Sequence, residues 1–252
     1  MCSLRSEGPP IWFGISHQRY NSPTALADAV HSAALCAILK KHVTMMKQHI
    51  FTLLFTLLFT QAGIAQSTGT FTDSRDEQTY KTISFENTMT GTTVVWLAQN
   101  LNYKVEGSYA YDDKETNRDD LGLLYTWEAA KKACPKGWHL ATDSEWSMLV
   151  NEFGGTDEAG KALKSKKGWN EDGNGTNRSR FNALPGGQRS TGGSYRSLGY
   201  FAFWWSSTPT NEEGKVWIWD ISYGGPDMSI KSKVWRFDAD ILGGLSVRCV
   251  CD

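Results

Sequence analysis

The sequence predicts an α+β fold made of two or three short helices, small antiparallel sheets and a long irregular loop region. Three observations carry this. Two capped, helix-forming segments lie close together near the middle of the chain, and strand-like alternations precede and follow them. Beyond Gly168 the texture turns to Gly, Asn, Ser, Trp and Tyr with no helical period. Composition agrees, since 252 residues include 11 Trp and 24 Gly but only 7 Pro, a bias suited to tight turns and large rigid side chains.

Residues 1–44 show no clear period and carry Cys2 and Cys36. The next segment reads MMKQHIFTLLFTLLFTQAGIAQ, with a positive start at Lys47, an apolar run from Ile50 to Phe59, and Gly63 and Ala65 just before Gln66. That is the pattern of a signal peptide over residues 45–65. The apolar run falls well short of the roughly 20 residues that a bilayer core requires, so no membrane span is expected after cleavage. Export to the periplasm, the outer surface or the medium is the expectation. Because such a signal belongs at an N-terminus, residues 1–44 read as a non-native extension ahead of a start at Met45 or Met46.

Residues 66–78 read as a linker, on the polar Ser/Thr/Gly stretch Gln66 to Asp76. A single domain over residues 79–252 follows. Tyr80 to Phe85 and Thr92 to Leu97 have strand spacing and predict a hairpin. The charged run Asp112 to Asp120 reads as a solvated loop. Thr126 to Ala133 is rich in helix formers and ends at Cys134-Pro135, because proline cannot continue a helix. Thr142-Asp143-Ser144-Glu145 forms a capping box ahead of Trp146, Leu149, Val150 and Phe153, which share one helix face, and Gly154-Gly155 ends the helix. A weaker helix is expected over Asp157 to Ser165 with Thr156 as its cap. Strand-like pieces follow at Phe203 to Ser206, Val216 to Ile221, Val234 to Phe237 and Leu245 to Cys251.

From Gln66 onward the chain holds 21 basic and 25 acidic side chains. With no basic patch large enough to neutralise several phosphates, nucleic acid is not an expected partner. No phosphate loop, paired His ligands or HExxH motif is present, and no cofactor is implied. His139 is the sole His after the signal, and its place on the approach to Thr142 favours a structural role. Asn170, Asp172, Asn174 and Thr176 space oxygen donors like the start of a calcium loop, but the twelfth position from Asn170 is Phe181 rather than a bidentate acid. A plain Asn/Gly turn is the commoner reading.

Five blocks carry a family resemblance: WLAQNLNY from Trp96, YTWEAAKKACPKGWHL from Tyr125, ALPGGQR from Ala183, WWSST from Trp204 and SVRCV from Ser246. Together and in this order they resemble the Fibrobacter succinogenes major paralogous domain, over nearly all of the chain from about Tyr80. The resemblance implies an exported or surface protein with a C-type-lectin-like fold and no settled activity. It also implies a disulfide from the first-helix Cys134 to Cys249 on the last strand, with Cys251 as the rival partner. The calcium-dependent sugar motifs of lectins are not matched, since Glu-Pro-Asn and Gln-Pro-Asp are absent and Trp219-Asp220 does not restore Trp-Asn-Asp. His139-Leu140 and Asp143 to Trp146 also resemble a block of the formylglycine-generating enzyme family, whose chemistry depends on a reactive Cys pair.

A non-catalytic module that binds glycan or another surface component is therefore expected, ahead of an adhesive envelope protein with protein partners and, third, an enzyme. The aromatics concentrated from Tyr195 to Phe237 put any sugar site there, independent of calcium, on Trp217, Trp219 and Trp235. Arg189, Asn211 and Asp220 would supply hydrogen bonds to hydroxyls. Core packing is the commoner role for Trp in a small domain, and Trp204 and Trp205 fit it too. Trp217 and Trp219 share one strand face, with Ile218 and Asp220 on the other. Arg189 follows the Pro185-Gly186-Gly187 turn and also fits a structural role.

Overall fold

The computed structural model describes residues 35, 37–47, 66–86, 91–225 and 230–252. The chain falls into two units, Met1–Gly63 and Ile64–Asp252. In the first, residues 37–47 are helical. The apolar run and cleavage site of the expected signal, and residues 1–34 and 36 of the expected extension, lie outside the described residues. Among the described residues no helix is long and apolar enough to cross a membrane.

The second unit is α+β. Its first sheet holds β1 (Gln66–Thr72), β2 (Thr79–Glu86), β3 (Thr93–Leu97), β13 (Cys249–Cys251) and β6 (Trp138–Leu140), in that order. The expected hairpin is β2 with β3, paired from Thr82↔Leu97 to Glu86↔Thr93. The expected linker is corrected, because Gln66–Thr72 pairs residue for residue with β2. Thr is β-branched and Ser/Thr side chains suit a solvated edge strand, while Phe71 anchors the strand on Trp138 with ring centroids 4.9 Å apart. Asp73 is buried beneath the guanidinium of Arg75, which lies over the Tyr103 ring and donates to the carbonyls of Ala133 and Cys134.

The larger sheet runs β11 (Val234–Asp240), β10 (Lys215–Ser222), β9 (Phe201–Pro209), β12 (Leu245–Ser246), β5 (Leu124–Tyr125) and β4 (Ser108–Tyr109), with β7 (Gly186–Arg189) joining β9 and β8 (Tyr195–Leu198) joining β7. It is larger than the small antiparallel sheets expected, and two contacts onto β9, from β12 and β7, are parallel. At Gly187 the backbone takes φ 64, and a Cβ there would lie 2.4 Å from the Arg196 carbonyl, so the close β7–β8 approach needs glycine.

The described residues of this unit hold four short α-helices: α1 (Glu115–Leu121), α2 (Trp127–Ala133), α3 (Asp143–Glu152) and α4 (Ala159–Leu163). The Thr126 side chain caps α2, and Thr142 and Glu145 form the full capping box of α3. Two expectations are corrected. The charged run contains α1, held by Lys104–Glu115 and Arg118–Glu115 pairs and by Arg118 donating to Asn102. Thr156 does not cap α4, whose N-cap is Glu158 without a side-chain bond. Trp146, Leu149, Val150 and Phe153 form one buried face as expected, packed with Trp96, Phe181, Trp204 and Trp219.

The disulfide is Cys134–Cys249, with Cα atoms 5.9 Å apart, and Cys251 is exposed and free. Near it His139 is held between two carboxylates, Asp252 at 2.6 Å from Nδ1 and Glu145 at 2.9 Å from Nε2, and Glu145 also closes the α3 capping box. Burial alone would lower the His139 pKa, but the Asp252 hydrogen bond and the Glu145 charge outweigh it and hold it above the ordinary value. A raised folded-state pKa stabilises fully below the unfolded value of about 6.5 and is lost as pH rises through the folded one. The deficit in Tm of His139→Gln is therefore expected to be larger at about pH 5.5 than at about pH 8.5. Equal deficits at both would refute this role.

Candidate functional site

The late aromatics sit on β9, β10 and β11, and antiparallel register decides which of them meet. On β10–β11 the pairs are Trp217↔Asp238, Ile218↔Phe237, Trp219↔Arg236 and Asp220↔Trp235. Directly opposed residues share a face, so Trp217 and Trp219 lie with Arg236 on one side, while Asp220 lies with Trp235 and Phe237 on the other. The three expected sugar-stacking tryptophans are thus divided by the sheet.

On the first face Trp219 is buried and its Nε1 donates to Asp143 at 3.0 Å. It stacks on Trp146 inside the core, so its expected role in stacking on sugar is corrected to packing. Asp143, in the first turn of α3, also accepts two bonds from Arg236, at 2.7 and 2.8 Å. The Arg236 guanidinium in turn lies 3.4 Å over the Trp217 ring, so that ring already has its stacking partner.

The second face carries a different combination. Phe201 and Phe203 are stacked at 5.5 Å on β9, Asp220 is opposite both Phe203 and Trp235, and Ser222 is opposite Phe201. Trp235 is 43% exposed and Phe237 39%, whereas Asp220 is only 4% exposed. Among the described residues, Asp220 Oδ1 and Ser222 Oγ are both buried with no hydrogen-bond partner. With no cation beside it, burial pushes the Asp220 carboxyl up to about 7. A buried acceptor without a donor costs about 1–3 kcal/mol, and a ligand hydroxyl would relieve that cost.

The remaining expected site residues do not converge here. Arg189 exchanges backbone bonds with Gly244, and its guanidinium lies 3.9 Å over the Tyr109 ring. These contacts fit the structural role, while its Nε is buried without a hydrogen-bond partner among the described residues. Asn211 lies in the β9–β10 turn, beside a cavity of about 350 Å³ lined also by Trp127 and Glu213. Phe237 and Ser222 were not singled out by sequence reasoning, although strand alternation places Phe237 on the Trp235 face.

The Asn170–Thr176 loop is a turn. Asn174 Oδ1 accepts from Trp169 N, Thr176 Oγ1 donates to Lys161 O, and Lys231 donates to the Asp172 carbonyl. Beneath it lies buried Lys164, which donates to the Ser222 and Tyr223 carbonyls and is pushed down to about 7 by burial and by Lys231. Among the described residues no group of three or more His, Cys, Asp or Glu is placed to hold a metal.

A profile of the Fibrobacter succinogenes major domain matches residues 80–251. No curated protein and no solved structure matches the chain.

Proposed function

This chain belongs to the Fibrobacter succinogenes major domain family, and from that premise we propose that it is an exported, non-catalytic recognition module that binds glycan without calcium. A C-type-lectin-like build is part of the proposal. The α2–β6–α3 succession and the disulfide from the end of α2 to the last strand support it.

One observation carries the glycan reading: a half-exposed Trp235 stands directly across the strand pair from buried Asp220, whose Oδ1 has no hydrogen-bond partner among the described residues. Sugar rings offer an apolar face and a rim of hydroxyls. An indole with a recessed acceptor beside it answers both, and Phe237 and Phe203 extend the apolar floor. Protein partners remain the alternative occupant of the same face.

The test is a glycan array in excess chelator, followed by titration of the hits against variants. Trp235→Ala and Asp220→Asn are each expected to weaken binding about tenfold or more, the scale of a central contact, while Trp217→Ala leaves it unchanged. Binding that vanishes with the chelator, or that survives both Trp235→Ala and Asp220→Asn, would overturn the assignment.

A further inference from the structure

A cleft of about 540 Å³ opens between the β1–β2 edge and the loop ending at Asn182, in the sheet that does not contain Trp235. Its lining includes Lys81, Lys167 and Arg180, the amides Asn177 and Asn182, and Thr68, which pairs with Ile83 on the Lys81 side of the sheet, and no acidic residue. In a domain with more acidic than basic side chains that separation of charge is unusual. Some exposed cations elsewhere are paired with carboxylates, as in Lys104–Glu115, Lys131–Glu128, Lys215–Asp238 and Lys233–Asp157. Among the described residues no carboxylate pairs with Lys81, Lys167 or Arg180.

The wall of the cleft is also strained. Asn177, Arg180 and Asn182 have φ of 49, 58 and 56, a region that L-residues rarely adopt. The arrangement is fixed by Asn182 N donating to Asn177 Oδ1 at 2.9 Å and by Arg180 N donating to Asn177 O at 3.0 Å. Asn tolerates that conformation through its short polar side chain, but Arg has no such compensation. Holding Arg180 there places a cation at the cleft, and strain of this kind clusters where ligands are gripped.

We propose that this cleft binds an acidic saccharide, a sugar bearing carboxylate or sulfate. The three cations meet the oxyanion, and the Thr and Asn side chains meet the ring hydroxyls. The space lies within the range of small-ligand sites and is far larger than an inorganic ion needs. Three cations without a stacking aromatic in the lining do not make a nucleic-acid track. This inference stands independently of the Trp235 face.

The test titrates the purified protein with oligogalacturonate, with a sulfated oligosaccharide, with a neutral oligosaccharide of equal length, with sodium sulfate alone and with vesicles of anionic phospholipid. Tighter binding of either acidic sugar than of the neutral one, by about tenfold or more and weakening with added salt, is expected. Which acidic sugar wins identifies the oxyanion. The double variant Lys81→Ala/Lys167→Ala, and separately Arg180→Asn, which keeps a residue suited to positive φ, are each expected to lose about tenfold with an unchanged circular dichroism spectrum. Trp235→Ala is expected to bind the acidic sugar normally, which separates this site from the aromatic face. Equal affinity for the neutral sugar, equal affinity for sulfate alone, vesicle binding without saccharide binding, indifference to removal of the cations, or loss in Trp235→Ala would each overturn the proposal.

Discussion

Replacing Arg248 with Met is expected to destabilise the domain by about 3–5 kcal/mol, seen as a large fall in the urea midpoint with the slope unchanged. Arg248 is fully buried, yet no carboxylate faces it. Its Nε donates to Asn100 Oδ1 at 2.9 Å, Nη1 to the carbonyls of Leu97 and Phe181 at 2.9 and 3.0 Å, and Nη2 to Asn182 O at 3.2 Å. The guanidinium lies 4.2 Å from the centroid of the Phe181 ring. Burial lowers its pKa to about 9, which still leaves it charged at neutral pH. One planar fork thus satisfies acceptors from two separate segments, 97–100 and 181–182, and methionine would leave three carbonyls without it. Lysine keeps the charge but carries no fork, so Arg248→Lys should recover only part of the loss. A loss under about 1 kcal/mol for Arg248→Met would show that water or relaxation replaces those bonds.

The blocks that reveal the family lie on this same interior. Asn100 of the first block accepts from Trp204 Nε1 of the fourth as well as from Arg248 of the fifth, and donates to Leu121 O and Ser246 Oγ. Trp205 Nε1 donates to Tyr125 O, and Trp127 Nε1 to Ser206 O. The residues that make the chain recognisable are therefore largely those that close its core. Surface groups such as Trp235 and Lys81 stand outside that network.

Legibility in the sequence followed the range of the interaction. The caps of α2 and α3 were readable because a cap spans only three residues, and β2 and β3 because alternation is local. β1 was missed because Ser/Thr-rich edge strands look like linkers until a partner is known. α1 was missed because a run such as Asp112 to Asp120 lacks an apolar face, and its stability comes from Lys104 and Asn102, outside the helix. The division of the tryptophans depended on the pairing Asp220↔Trp235, fixed by register across two strands. The basic cleft brings Lys81 to Lys167 and Arg180, 86 and 99 residues further along the chain, and no local pattern marks them as neighbours.

Removing the Cys134–Cys249 bond, by the double Cys→Ala variant or by reductant, is expected to cost about 5 kcal/mol in the chain-entropy model, because the bond closes a loop of 115 residues. Its place in the fold explains why the link is made to Cys249 and not Cys251. Cys249 is buried in the core beside Leu140, whereas Cys251, on the same side of the strand, lies opposite Trp138 near the chain end and is exposed. Other contacts at the same place remain when the bond is gone, since Arg75 still holds the Ala133 carbonyl and Leu140 still pairs with Cys249. The native fold of the reduced protein should thus be little changed, with the loss expressed mainly through the freed unfolded chain. Alkylation of the native protein should modify Cys251 and spare Cys134 and Cys249, and unfolding with and without reductant should give the difference in stability. A Cys134–Cys251 link in peptide maps, or a loss below about 1 kcal/mol on reduction, would show that the two ends of the domain are held by the sheet alone.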